Sequence, residues 1–279
     1  MTLYRSDGLP EFEQALASIE AQDVSDAAVR IYLCIDGSLT QEQAAWLEQA
    51  RPRFYKIVQN PTNVGLARSL NVLIDVLEDE DLVFRMDGDD LSAVDRFRKQ
   101  AEYLSEHAQI DLIGCQAWDI DEQGKVIAER RFATDPAVIA ELIYRMDPVL
   151  HPTFCIRRRI LRNPSLRYPD AYLAEDLGFL ITAMKLGYGI GNHPEFLFYW
   201  RLGESFFERR SSLRRALAEL QWYTKALWLR KGYFTPYYVY PIGRFVLRCV
   251  PASIMRWIYG SGVREWVMTH VRRSQRSGE

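Results

Sequence analysis

Three carboxylates fall within four residues at Asp87-Gly88-Asp89-Asp90, directly after Arg85-Met86 and the apolar run Leu82-Val83-Phe84. Leu82 to Met86 reads as a buried strand, and the chain must then turn sharply, with Gly88 permitting a close backbone approach. Asp87 and Asp89 therefore leave the strand end together. Hard divalent cations such as Mg2+ or Mn2+ prefer carboxylate oxygens, keep positions for water, and bind substrate phosphates through them. The chemistry on offer is metal-assisted binding of a diphosphate. A solvated acidic turn has the same local sequence, so context must decide. Asp90 can instead cap the helix that follows. A second pair, Glu175-Asp176, opens a stretch of helical spacing that reaches Leu186, where the helix dipole favours negative charge.

The elements that position these groups alternate helix and strand over the first 90 residues. Pro10 to Gln22 puts Phe12, Leu16 and Ile19 on one helical face, and Val29 to Ile35 reads as a strand ending at Asp36-Gly37-Ser38. Thr40 to Ala50 resumes helical spacing, Phe54 to Val58 is a second strand, Asn63 is an N-cap, and Val64 to Leu77 is an apolar helix. Such alternation predicts an α/β fold with a mostly parallel, doubly wound central sheet flanked by helices, whose ligand sits at the carboxyl ends of the strands. Both Asp36 and Asp87 fall at such ends. Further on, Asp111 to Asp119 and Lys125 to Phe132 alternate around Asp121-Glu122-Gln123-Gly124 as a hairpin. Asp135 to Arg145 reads as a helix, Thr153 to Ile156 as a short strand and Phe196 to Trp200 as the last strand.

The motifs occur in an order that resembles glycosyltransferase family 2, the inverting nucleotide-sugar transferases of the GT-A fold. Asp36-Gly37-Ser38 resembles the DDGS turn, with Ile35 in place of the first acid. Asn63-Val64-Gly65-Leu66-Ala67-Arg68-Ser69-Leu70-Asn71 resembles the NxGLAxxLN element, Arg85 to Asp90 the RMDADD metal segment, His151-Pro152-Thr153 a recurring HPT segment, and Glu175-Asp176 the ED pair. Each motif alone is weak, and five in sequence are specific. The resemblance spans roughly residues 2 to 215.

It implies a set of roles. Asp36 would accept a hydrogen bond from the nucleotide base, Asn63 and Gly65 would begin a helix whose N-terminus holds the nucleotide, and Arg68 would reach phosphate. Asp87 and Asp89 would hold Mg2+ or Mn2+, with Asp87 also toward the ribose-diphosphate. Asp176 would be the base that deprotonates an acceptor hydroxyl, Glu175 its orienting partner, and His151 a residue near the acceptor or the metal. An arginine-serine loop after the last strand often closes over the diphosphate in this family, which makes Arg201, Arg209 and Arg210 candidate clamps. The implied activity is transfer of a sugar from a nucleotide-diphosphate donor to a glycan or lipid-linked acceptor in cell-surface polysaccharide synthesis. A non-catalytic family member serving as an assembly partner, or a metal-dependent phosphohydrolase, are the alternatives from other classes.

Composition bounds the rest. With 279 residues, 48% hydrophobic and 26% charged, the chain can bury one sizeable core plus an appendage. Net charge is -2, yet residues 201–279 hold 15 Lys/Arg against 5 Asp/Glu, leaving 20 against 32 before them. The basic end is expected to face something anionic. We expect a catalytic domain over residues 1–212, its nucleotide half ending near 110 and its acceptor half covering 111–212, then a helical, basic and aromatic region over 213–279. In that region Arg244 and Arg248 share a helix face beside Phe245, Val246, Leu247 and Val250, the arrangement of an interfacial helix on anionic lipid. No nucleic-acid-binding module is recognisable. Cys34, Cys115, Cys155 and Cys249 lack ligand spacing and read as small core hydrophobes in a reducing compartment. The start has no apolar signal region and no uncharged run is long enough to span a bilayer, so the expected location is cytoplasmic, at the inner face of the membrane. One departure from the resemblance is the opening strand, where only Thr2-Leu3-Tyr4 precedes polar residues; the expectation is a start inside the native reading frame or a shortened copy.

Overall fold

In the computed structural model the described residues are 1–24, 27–203 and 213–249. The first elements form where the patterning placed them, as strand β1 (Thr2–Tyr4), helix α1 (Leu9–Glu20), β2 (Tyr32–Asp36), α2 (Gln41–Ala50), β3 (Lys56–Asn60) and α3 (Leu66–Asp75). Helix α2 starts where it does because Thr40 and Gln43 make a reciprocal capping box, each side chain bonding the other's backbone N–H at 3.1 Å. Helix α3 starts later than expected. Its N-cap is Gly65, at φ +86° and without a side-chain bond, while Asn63 stays exposed outside the helix.

The chain continues through β4 (Leu82–Phe84), β5 (Leu91–Ser92), α4 (Arg96–Glu106), β6 (Leu112–Ile120), β7 (Val126–Arg130) and α5 (Pro136–Leu142). Then come β8 (Cys155–Arg157), α6 (Arg158–Leu161), α7 (Glu175–Lys185) and β9 (Ile190–Arg201). Two further helices, α8 (Leu213–Lys231) and α9 (Val239–Cys249), complete the described chain.

The sheet is mixed rather than mostly parallel. Strands β1, β2 and β3 form a parallel sheet, as helix-linked strands must, but β4-β8-β6-β9-β5 form a second sheet in which only β6 and β9 run parallel. The short β6–β7 hairpin and the antiparallel pairings of β8 with β4 and β6 reverse the direction that the early alternation suggested. Strand β9 is also longer than expected. It begins at Ile190, and the polar run through His193 and Pro194 is accommodated where the register slips between Cys115 and Ala117 of β6. A cavity of about 780 Å³ lies between the two sheets, with Ile31 and Tyr32 on one side and Leu82, Val83 and Phe84 on the other.

One core cluster packs α3, α5, α7 and α8 around Phe154, Ile156 and Phe179; a second packs α1 and β2 against Cys115, Ala117 and Phe198. Of the cysteines, Cys34, Cys115 and Cys155 are buried as expected, whereas Cys249 is exposed. Among the described residues no helix is long and apolar enough to cross a membrane.

Helix α9 inverts one expectation. Arg244 and Arg248 do share a face, but it turns inward onto Glu219 of α8, whose side chain is 6% exposed and which also takes Arg215. The outward face is apolar, with Val239, Ile242, Val246 and Leu247 all more than half exposed. A buried carboxylate attracts three guanidinium groups more strongly than solvent holds them only because each pairs or packs on arrival. Arg248 bonds Glu219 with Nε at 3.1 Å and Nη2 at 2.8 Å, and Arg244 stacks over Tyr223 at 4.7 Å.

Candidate active site

The acidic turn is held from beneath and behind. Arg85 N–H donates to Phe154 O at 2.8 Å, and the buried Arg85 guanidinium pairs with Asp87. Fully buried Arg96 donates Nη2–H to the carbonyls of Arg85 (3.0 Å) and Pro152 (3.1 Å), tying the end of β4 to the His151-Pro152-Thr153 turn. Gly88 is required by a close approach: a Cβ there would sit 2.6 Å from Phe12 Cδ2 of α1.

Arg201 is buried and fully engaged within the protein. At the end of β9 its backbone N–H donates to Asp90 Oδ1 (2.8 Å), and its guanidinium bonds Asp89 O (2.8 Å), Glu122 O (2.7 Å), Asp121 O (3.3 Å) and Gln14 Oε1 (2.9 Å). The sequence-based clamp is therefore a strap that fixes the backbone of the acidic turn. Asp90, for its part, does not cap a helix; α4 begins at Arg96 without a side-chain cap. Arg209 and Arg210 lie outside the described residues.

Asp87, Asp89 and Asp90 each bring a carboxylate oxygen within 4.8 Å of the others. Burial pushes the Asp90 carboxyl well above its ordinary range, with Asp89 and Asp87 adding to the shift. Asp89 is raised to about 6, first by desolvation in its crowded setting and then by Asp87, although its surface is open to solvent. Asp90 Oδ2 is buried without a hydrogen-bond partner. Three converging carboxylates with one orphaned oxygen fit a hard divalent cation, whose charge would reverse these shifts.

At the carboxyl end of β2, buried Asp36 looks inward. Its carboxylate accepts from Asn60 Nδ2 (3.0 Å) and from the backbone N–H groups of Val64 (2.8 Å) and Gly65 (2.9 Å). It thus fixes the loop entering α3. Gly37, at φ +92°, lets that loop approach so closely that a Cβ would lie 2.8 Å from Asn63 N. Arg68, exposed on the first turn of α3, pairs with Asp170 at 2.6 Å.

The ED pair lies on the first turn of α7 as expected, both side chains half-buried. Glu175 is raised to about 7 by desolvation and by Asp176. Asp147, which sequence reasoning missed, has its carboxyl beside and hydrogen-bonded to that of Asp176; burial first, and Asp176 second, push it well above the carboxylate range. Asp147-Pro148 reads locally as a turn, and nothing in its spacing marks a partner 29 residues on. His151 is buried, its Nε2 3.0 Å from Tyr168 OH, and burial with the Arg85 charge keeps it neutral at physiological pH. Arg85 is the group common to both halves: its charge acts on Asp89 and Asp90 as well as on Glu175, His151 and Tyr168.

The family model "Glycosyl transferase family 2" matches residues 1–167. The chain is similar to the amylovoran biosynthesis glycosyltransferase AmsE of Erwinia amylovora, at 26% identity over 93% of this chain and 96% of that protein. It is also similar to the UDP-Gal:alpha-D-GlcNAc-diphosphoundecaprenol beta-1,3-galactosyltransferase of Escherichia coli, at 22% identity over 96% of each. Among solved structures, the Pyrobaculum calidifontis mannosyltransferase PcManGT in complex with GDP-Man and Mn2+ superposes with a TM-score of 0.62 over 96% of this chain and 82% of that one, at 15% identity. S. aureus TarS 1-349 does so with a TM-score of 0.63 over 88% and 69%, at 17% identity.

Proposed function

The chain belongs to glycosyltransferase family 2, and from that premise we propose that it transfers a sugar, with inversion at the anomeric carbon, from a nucleotide-diphosphate donor to a lipid-linked acceptor in cell-surface polysaccharide synthesis. The observation that carries the reading is the pairing of the Asp87/Asp89/Asp90 cluster with the Glu175-Asp176 pair around one buried arginine, Arg85. The names of the relatives support the substrate class: one acts in amylovoran biosynthesis, one on a diphosphoundecaprenol-linked sugar.

Asp176 takes the proton of the acceptor hydroxyl as its oxygen attacks the anomeric carbon from the face opposite the diphosphate, and the bond to the diphosphate breaks. Asp147 and Glu175 hold Asp176 in place. Asp87 and Asp89, with Asp90 behind them, would hold Mg2+ or Mn2+, which neutralises charge on the departing diphosphate when bound. The 63–65 loop, held by Asp36 through the N–H groups of Val64 and Gly65, leads into α3, whose own first-turn N–H groups suit a nucleotide phosphate. Arg201 keeps the acidic turn in shape, and neutral His151 with Tyr168 lines the floor near Arg85.

Helix α8 packs into the catalytic core, and the enzyme seats on a membrane surface through the apolar outer face of α9 and the exposed Tyr233-Phe234 tip. With the arginines spent on Glu219, the contact is apolar in character rather than driven by Arg244 and Arg248.

Asp176→Asn tests the base assignment. Transfer to the acceptor is expected to fall by roughly 100-fold or more while donor binding is retained. Near-normal transfer would refute the assignment.

A further inference from the structure

Resting on the transferase reading, we propose that the cleft between residues 170–174 and α8 is the subsite that seats a pyranose ring of the acceptor. The cleft has a volume of about 330 Å³ and is lined by Asp170, Tyr172, Arg214, Leu217, Gln221 and Trp222. That mixture is suited to a sugar: aromatic and aliphatic surface for the C–H faces of the ring, and a carboxylate, an amide and a guanidinium for its hydroxyls. Its size is at the lower end of small-ligand sites, which favours a single ring over a nucleotide.

The position is set by the residues on either side. Tyr172 lies four residues before Asp176, and the segment between them carries Leu173 at φ +52°, the only non-glycine with positive φ among the described residues. A branched side chain in that region is strained, and strain of this kind persists where the surroundings over-determine it. They do so here. Asn71 of α3 bonds Tyr168 twice, at 2.8 and 2.9 Å, and Arg68 of the same helix pairs with Asp170. From the other side Arg214 of α8 lies over the Tyr172 ring at 4.7 Å. The loop is thus braced between the helix that faces the donor and the helix that walls the cleft.

The far wall touches the base-bearing helix directly. A Cβ on Gly178 of α7 would come within 2.4 Å of Pro169 Cγ and 2.9 Å of Trp222 Cε2, so only glycine lets Trp222 and the 169–174 loop meet α7 at this distance. Lys225 covers one face of Trp222, its Nζ 4.0 Å from the ring centroid, which orients the indole in the wall. The cleft thus abuts α7 at Gly178, three residues after Glu175.

The test uses full-length protein labelled with 5-fluorotryptophan, with the Trp222 resonance assigned through Trp222→Phe. It is titrated with p-nitrophenyl glucoside, galactoside, mannoside, rhamnoside and N-acetylglucosaminide. At least one is expected to shift the Trp222 resonance in a saturable way, and Tyr172→Ala and Gln221→Ala, both at exposed positions, are expected to raise its dissociation constant by at least roughly 5-fold. A Trp222 resonance unmoved by every glycoside, or unchanged binding in both variants, overturns the subsite. Calorimetry with UDP, GDP and dTDP plus Mn2+ on the same samples separates the two readings: glycoside binding without nucleotide binding supports the subsite and contradicts the donor chemistry, whereas nucleotide binding without any glycoside response overturns the subsite alone.

Discussion

Replacing Arg201 by glutamine separates a structural strap from a phosphate clamp, because the two roles predict opposite outcomes. The guanidinium is buried and makes three short bonds, to Asp89 O, Glu122 O and Gln14 Oε1, each between 2.7 and 2.9 Å. Hydrogen bonds from a charged donor contribute about 1.5–3 kcal/mol each, and acceptors left unpaired carry a comparable penalty, but such terms overlap and the rim admits some water. A loss of about 3–5 kcal/mol is therefore expected in urea unfolding of the metal-free, nucleotide-free protein. The denaturant slope should stay unchanged. Because the same bonds fix the backbone at Asp89 and Asp90, Mn2+ binding should weaken by roughly 10-fold or more in the folded variant. Wild-type stability and Mn2+ affinity combined with a large loss of nucleotide-diphosphate binding would refute the strap and restore the clamp.

Two further perturbations read other parts of the scaffold. Gly37→Ala places a side chain at φ +92° and 2.8 Å from Asn63 N, so it should destabilise the protein by at least about 2 kcal/mol in thermal or denaturant unfolding; a change below about 0.5 kcal/mol would show that the 62–65 loop can yield. For Glu175, the folded carboxyl is raised to about 7 from an ordinary value near 4.5, so between those values the folded chain holds a proton that the unfolded chain has lost. The unfolding free energy of metal-free protein should accordingly fall as pH rises through that window, by on the order of 2–3 kcal/mol from this group. Asp89, raised to about 6, acts in the same direction. Glu175→Gln should flatten the decline, and an equally steep slope in the variant would assign it to other groups.

Much of the site was legible because its signals are local. Asp87 and Asp89 follow a short apolar strand and flank a glycine, and the ED pair begins a helix, so neighbouring residues alone specify where those carboxylates stand. The helical spacing from Thr40 and the hairpin around Gly124 are local in the same way. What stayed hidden depends on partners far along the chain. Arg201 finds Asp89 and Gln14 only once β9 lies beside β5, and Asp147 meets Asp176 only when α7 packs behind the 147–153 segment. Asp36 has the residue type to read a base, but two backbone N–H groups of the α3 loop claim its oxygens first. For α9, helical spacing revealed that Arg244 and Arg248 share a face; it could not reveal that Glu219 would draw that face inward. Strand β9 escaped notice over Ile190 to Pro194 because its polar residues are satisfied by the mixed sheet, as when Gln116 Nε2 donates to His193 O at 2.9 Å.

The central claim is that Asp87, Asp89 and Asp90 form a cation site serving a nucleotide-diphosphate donor, and calorimetric titration tests it most directly. UDP, GDP and dTDP would each be titrated into wild-type protein and into Asp89→Asn, with Mn2+ and with chelator. The account predicts binding of at least one nucleotide to the wild type that requires Mn2+, and loss of that requirement together with most of the affinity in Asp89→Asn. Folded wild-type protein that binds none of them with Mn2+ present, or binds equally well in chelator, would contradict it.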